Sequence, residues 1–301
     1  MRDGSRTAPV THYNIYNYIA FYNIAFPLNR YTSAAEIQRS IRLMDQIELP
    51  QFFYEIFDAS LPRLGPGEDR LTRKAFNKLT AGRIRKEDRK KLRILDIGCG
   101  NGAQTIQLAK LTGAEITALD NHPPYLEELR RRAVSAGVGN RIRLIEKDMR
   151  ELGREEGHFD LIWSEGALFC MGFRESFAVC HAILDDGGLM AASELTWLKE
   201  NPPEDCRRYF DSLYPAMATA AENLAAIESS GFEMLGYFTL PENAWWESYY
   251  HPIENRLELL RDQYYGEEEK MELIRRIEVE IDIYRKYSGC YGYVFYLVRR
   301  V

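Results

Sequence analysis

The chain has 301 residues, 46% hydrophobic and 28% charged, which is ordinary globular composition with length for one large core and additions to it. A formal net charge of −6 supplies no overall positive field, so neither nucleic acid nor an anionic membrane surface is expected as a partner. The cysteines Cys99, Cys170, Cys180, Cys206 and Cys290 are odd in number and form no Cys-x-x-Cys pair, which indicates neither a disulfide framework nor a zinc site and fits a reducing cytoplasm.

Residues 1–64 read as an N-terminal extension. Its opening is dense in aromatic and amide side chains, among them Tyr13, Tyr16, Tyr18, Phe21 and Tyr22. The most apolar part, 15–26, is interrupted by Asn17 and Asn23 and is too short for a membrane span of about 20 residues. A helical pattern runs through Ile37, Ile41, Leu43, Met44 and Ile47 and stops near Pro50; a short helix is expected over 52–57. The Leu64-Gly65-Pro66-Gly67 turn closes the extension, and a helix follows over 68–79. The basic run from Arg83 to Arg93 is broken by Glu87 and Asp88 and reads as a solvated linker.

Strands and helices then alternate: strand 92–97, helix 103–111, strand 115–119, helix 124–136, strands 142–146 and 161–164, helix 173–184, strand 189–194. This pattern predicts βαβ units and a parallel sheet covered on both faces. One long helix is expected over about 203–230, then a strand 232–239, and a last strand 291–298. Almost fifty residues lie between those final strands, with Trp245, Trp246, Tyr249, Tyr250 and a charged helix from 267 to about 287. An insertion of that size is rarely structureless. It reads as a cap over the sheet edge or as an oligomer contact.

The chemistry concentrates at Ile94-Leu95-Asp96-Ile97-Gly98-Cys99-Gly100-Asn101-Gly102. An apolar strand ends there in a glycine turn that opens a helix, whose first N–H groups lack partners. Gly98 to Ala103 also satisfies the G-x-G-x-x-A dinucleotide fingerprint. Asp96, however, sits where its charge repels a pyrophosphate, and the glycines recur at every second position. In a doubly wound sheet ligands bind beyond the carboxyl ends of the strands, so Asp120 after the second strand can accept from both ribose hydroxyls, with Asn121 beside it.

This segment resembles motif I, Asp/Glu-x-Gly-x-Gly-x-Gly, of the class I S-adenosylmethionine-dependent methyltransferases. The core from about 65 to 200 looks like the domain shared by small-molecule and quinone-biosynthesis methyltransferases. The resemblance implies a Rossmann-like α/β fold, doubly wound, with a seven-stranded sheet of order 3-2-1-4-5-7-6 and strand 7 antiparallel. It implies a core of 65–240 plus 289–301, an insertion 241–288 that caps the substrate, and S-adenosylmethionine as cofactor with S-adenosylhomocysteine as product. Asp96, Gly98, Cys99, Gly100, Asn101, Gly102, Asp120 and Asn121 would hold the cofactor. So would Asp148 and Met149 at the adenine, and Ser164 and Glu165 at the methionine end. Arg73 or Lys74 would lend charge near the carboxylate. Taken alone, Asp148 would also pass as the cap of the next turn.

The Asn-Pro-Pro-Tyr signature of DNA-adenine methyltransferases is absent, which argues against a flipped base. The expected partner is a small-molecule methyl acceptor, met by a monomer or homodimer. Candidates for a general base are Glu165, Glu194 and His251, with His181 more economically a packing residue. A cofactor-binding regulatory or assembly protein without turnover, and a nicotinamide-dependent oxidoreductase, are the other readings left open.

Overall fold

The computed structural model describes residues 51–301. The expectations for 1–50, including the aromatic opening and the helix stopped near Pro50, lie outside the described residues. The chain enters through α1 (Gln51–Ile56), and α2 (Asp69–Thr80) follows the glycine-proline turn. The basic run forms an exposed 3₁₀ turn, Lys86–Lys91, in which Asp88 pairs with Arg85 and Lys91.

The alternating region then folds as β1 (Arg93–Ile97), α3 (Ala103–Thr112), β2 (Glu115–Asp120), α4 (Pro123–Ser135), β3 (Ile142–Glu146), β4 (Phe159–Glu165), α5 (Phe173–Ile183) and β5 (Leu184–Trp197). It continues through α6 (Glu204–Leu213), α7 (Ala220–Ser229) and β6 (Phe232–Thr239). The insertion contains α8 (Asn243–Trp245), a π-turn (Trp246–Tyr250), α9 (His251–Gln263) and α10 (Glu268–Tyr287), before β7 (Tyr291–Arg300).

The seven strands form one sheet of order β3-β2-β1-β4-β5-β7-β6. Strands β1 to β5 are parallel, and β7 lies antiparallel between β5 and β6. The apolar runs of the central strands follow from cover on both faces. Ile94 points into one core with Leu71, Phe76, Leu108 and Leu129 from α2, α3 and α4. Its neighbours Leu95 and Ile97 share the opposite core with Phe173, Phe177 and Ile183 of α5. A third core joins Phe52, Phe53 and Ile56 of α1 to Phe210, Trp245, Tyr250, Ile277 and Tyr284. It seals the carboxyl edge of the sheet.

Two expectations are corrected. The helix over 203–230 is two helices, α6 and α7. Pro215 lacks an amide hydrogen and disfavours helical backbone at Tyr214, and Thr219 starts α7 afresh in a capping box with Glu222. Strand 189–194 is the centre of a longer β5, whose Leu184 pairs with Phe159 and whose Leu189 pairs with Leu161. The Asp185–Gly188 turn is thus a bulge inside β5, with Gly187 at φ +73°.

Candidate cofactor and acceptor site

One cavity runs from the glycine turn after β1 to the aromatic inner side of the insertion. At the turn, Gly98, Gly100 and Gly102 have φ of +69°, +52° and +85°. A Cβ on Gly98 would stand 2.4 Å from the Ala167 methyl, and one on Gly102 would stand 2.0 Å from Leu129. Ala167 and Leu129 already fill that space, so packing as well as the positive φ demands glycine there; Gly98 and Gly100 line the cavity, and Gly102 packs behind it.

Asp120 at the end of β2 braces this turn. Its Oδ2 accepts from the Gly100 amide at 2.9 Å and its Oδ1 from the His122 amide at 3.0 Å. Burial raises its carboxyl above the ordinary range, against these amides. Asn121 lines the cavity beside it, and His122 stacks on Tyr54 with centroids 3.8 Å apart. Burial lowers the His122 imidazole to about 4.

After β3, Asp148 and Met149 also line the cavity. Asp148 caps the short turn after it, accepting from the Arg150 amide at 2.8 Å and pairing with its guanidinium at 2.7 Å. The Asp148 carboxylate thus has a structural task as well as a place in the wall.

Four of the expected cofactor residues serve the turn from behind or beside it. Asp96 is fully buried under the glycines and is absent from the cavity wall. Thr105 Oγ1 donates to its Oδ2 at 2.6 Å, while Oδ1 has no partner among the described residues. Burial pushes this carboxyl up to about 7. Ser164 is likewise turned from the cavity and donates to the Ile97 carbonyl at 2.8 Å. Asn101 reaches the wall, but its amide is spent on the Ala59 and Leu61 carbonyls, at 3.1 and 2.7 Å. Cys99 is 1% exposed with its thiol raised by burial, a small packing residue rather than a nucleophile.

The base candidates separate sharply. Glu165 lines the cavity, yet both oxygens are occupied: Thr72 Oγ1 and Trp163 Nε1 donate to Oε1 at 2.7 and 3.0 Å, and Arg63 Nη1 to Oε2 at 3.1 Å. It is a fixed counter-charge and a poor proton acceptor. Glu194 is 1% exposed and is turned from the cavity, because strand alternation gives that direction to Leu195. Burial pushes Glu194 up to about 8. His251 is exposed on the outer face of α9, against Trp246, and forms no part of the cavity. His181 packs on Phe232 below the α7–β6 turn. Arg73 and Lys74 are exposed and lie outside the cavity wall, where the cationic side chains are those of Arg63, Lys147 and Arg150.

Sequence reasoning passed over Arg63, Thr72 and Glu280. Arg63 is 7% exposed and bridges Glu165 to Asp69. Glu280, on α10, lines the far end of the cavity and accepts from Tyr250 Oη at 3.2 Å. A readable signal existed for Glu280, since it falls on the apolar stripe Leu273, Ile277, Tyr284, Tyr287.

Residues 94–188 match the family model described as a methyltransferase domain. The chain is 26% identical over 174 residues to a sterol 24-C-methyltransferase of Gibberella zeae, covering 55% of this chain and 46% of that protein. It is 32% identical over 162 residues to a ubiquinone biosynthesis O-methyltransferase of Methylocella silvestris, covering 46% and 60%. The chain thus spans about half the length of the curated sterol methyltransferases it matches. In fold it is similar to a SAM-dependent methyltransferase from Thiobacillus denitrificans solved with S-adenosyl-L-homocysteine, at TM-score 0.72 and 18% identity, over 85% of this chain and 100% of that one. The sheet order and the matched domain define a class I methyltransferase fold. Residues 94–188 thus carry the methyltransferase domain, and the sheet built around them has the fold of the class I S-adenosylmethionine-dependent methyltransferases.

Proposed function

We propose that the chain transfers a methyl group from S-adenosylmethionine to a small organic acceptor held beneath the extension and the insertion. The observation that carries this reading is the single cavity joining the glycine turn and Asp120 to the aromatic lining of the insertion. The residues fit the cofactor: Gly98 and Gly100 present bare backbone to the cavity, and Asp96 keeps a buried, unpartnered oxygen beneath the turn among the described residues. S-adenosylmethionine supplies an activated methyl electrophile, so the protein needs chiefly to align the acceptor and exclude water.

Asp120 would accept the ribose hydroxyls on the lone pairs its two amide donors leave open. Asp148 and Met149 would face the adenine. Asp96 would favour the ammonium through the turn rather than by contact, and Arg63 would present its remaining donors to the carboxylate. Residues 1–64 and 241–288 act in this reading as the cap, and 65–240 with 289–301 as the methyltransferase core. The buried free thiols support residence in a reducing cytoplasm.

Calorimetric titration with S-adenosylmethionine, S-adenosylhomocysteine and NAD tests the proposal. Micromolar binding of the first two and none of NAD is expected. Silence from both sulfur ligands on folded, ligand-free protein refutes it.

A further inference from the structure

Glu280 stands apart from the other carboxylates that line the cavity. Glu165 is neutralised by Arg63, and Asp120 by backbone amides. Glu280 lines the cavity and has one neighbour that donates to it, Tyr250 Oη. Its second oxygen meets no donor, and no cationic side chain pairs with it, among the described residues. The groups around it are aromatic: Trp245, Tyr249, Tyr250, Tyr291 and Tyr293 line the same end of the cavity. Trp245 is 3% exposed, and its indole N–H is a second unpartnered polar group there among the described residues.

An uncompensated carboxylate inside an aromatic wall is costly unless something positive sits beside it. Ring faces attract a cation, and a carboxylate among them sharpens that preference. The two features therefore select the same ligand chemistry.

Resting on the methyl-transfer reading above, we propose that this end of the cavity is the acceptor subsite, that it takes an amine on an apolar body, and that Glu280 removes the proton from the amine. The ammonium form binds against Glu280 and the ring faces. One proton passes from nitrogen to the Glu280 carboxylate, freeing the nitrogen lone pair. That pair forms the N–C bond to the methyl group as the S–C bond breaks, and the electrons of the broken bond stay on sulfur. The products are the methylated amine, S-adenosylhomocysteine and one proton, which Glu280 releases to solvent. Burial pushes the Glu280 carboxyl up to about 7, which suits a group that takes up and gives back a proton.

The test uses the full chain, first titrated with S-adenosylhomocysteine. Failure at that step refutes the methyl-transfer reading itself. The loaded protein is then titrated with phenethylamine and benzyltrimethylammonium, and with phenethyl alcohol as the neutral match. Both cations should bind at least tenfold more tightly than the alcohol. In Glu280→Gln, S-adenosylhomocysteine affinity should stay within twofold of wild type while the preference for the cations disappears. Methylation of phenethylamine, read as S-adenosylhomocysteine formed, should fall about a hundredfold. Cations binding no better than the alcohol, or not at all, overturn the amine assignment. So does Glu280→Gln retaining the cation preference on protein that still binds S-adenosylhomocysteine.

Discussion

Asp120 holds the Gly100 and His122 amides and, in the proposed complex, the ribose hydroxyls, so its removal touches both the turn and the ligand. Asp120→Ala should weaken S-adenosylhomocysteine binding about tenfold or more, since hydrogen bonds to a charged group contribute about 1.5–3 kcal/mol. Calorimetry giving wild-type affinity would remove Asp120 from the site. The buried acids make a different prediction. Asp96, Glu194 and Glu280 are raised to about 7, about 8 and about 7. A folded value above the unfolded one favours the protonated native state, so this stability is full below about pH 4 and is lost as pH rises through about 7 to 8. The ligand-free protein should therefore have a lower urea midpoint at about pH 9 than at about pH 6. Glu194→Gln should flatten part of that slope, and an unchanged slope would mean that Glu194 titrates normally in the fold.

At the level of helices and strands, Thr219 offers a clean perturbation. Its side chain accepts from the Glu222 amide, and Glu222 accepts in return from the Thr219 amide. Thr219→Ala should cost about 1 kcal/mol in urea unfolding and leave S-adenosylhomocysteine affinity alone. The central strands were legible because a sheet covered on both faces writes unbroken apolar runs between glycines, and Ile94 to Gly102 shows both. The break at Pro215 was equally visible, but the apolar pattern on either side of it outweighed a single proline. His251 misled for a local reason. The π-turn over Trp246–Tyr250 inserts one residue ahead of Pro252, which cannot donate an amide hydrogen. One extra residue rotates the next stretch of helix by about 100°, so Tyr249 and Tyr250 face the cavity and His251 faces out. Arg63 and Thr72 carry no local signal for Glu165, because only the tertiary fold brings their stretch of chain to a residue 93 to 102 positions away.

Across the full molecule, the cap and the sheet share one interior. α1 packs on the insertion through Phe52 against Tyr264, Tyr264 Oη on Glu55 at 2.7 Å, and Arg256 on the Glu55 carbonyl. A ligand lying between cap and sheet should stabilise the protein as one cooperative unit. Saturation at about 100 times Kd adds about 2.7 kcal/mol, which a thermal scan should register as a single upward-shifted transition. An early, ligand-insensitive transition would mean that the cap melts separately. All five cysteines are buried, so native protein should react slowly with a thiol reagent and speed up only on unfolding. Rapid labelling of even one would contradict the packing described.

The Ala59–Leu61 stretch of chain is fastened twice, by Asn101 from the glycine turn and by Arg132 from α4. Phe57 before it and Arg63 after it both line the cavity, so the stretch is a buckle at the cavity's rim. Product leaves only as fast as such a fastening lets the rim open. The first round of methylation would then outrun every later one, and time courses at high enzyme concentration would begin with a burst of one equivalent before settling to the pace of escape.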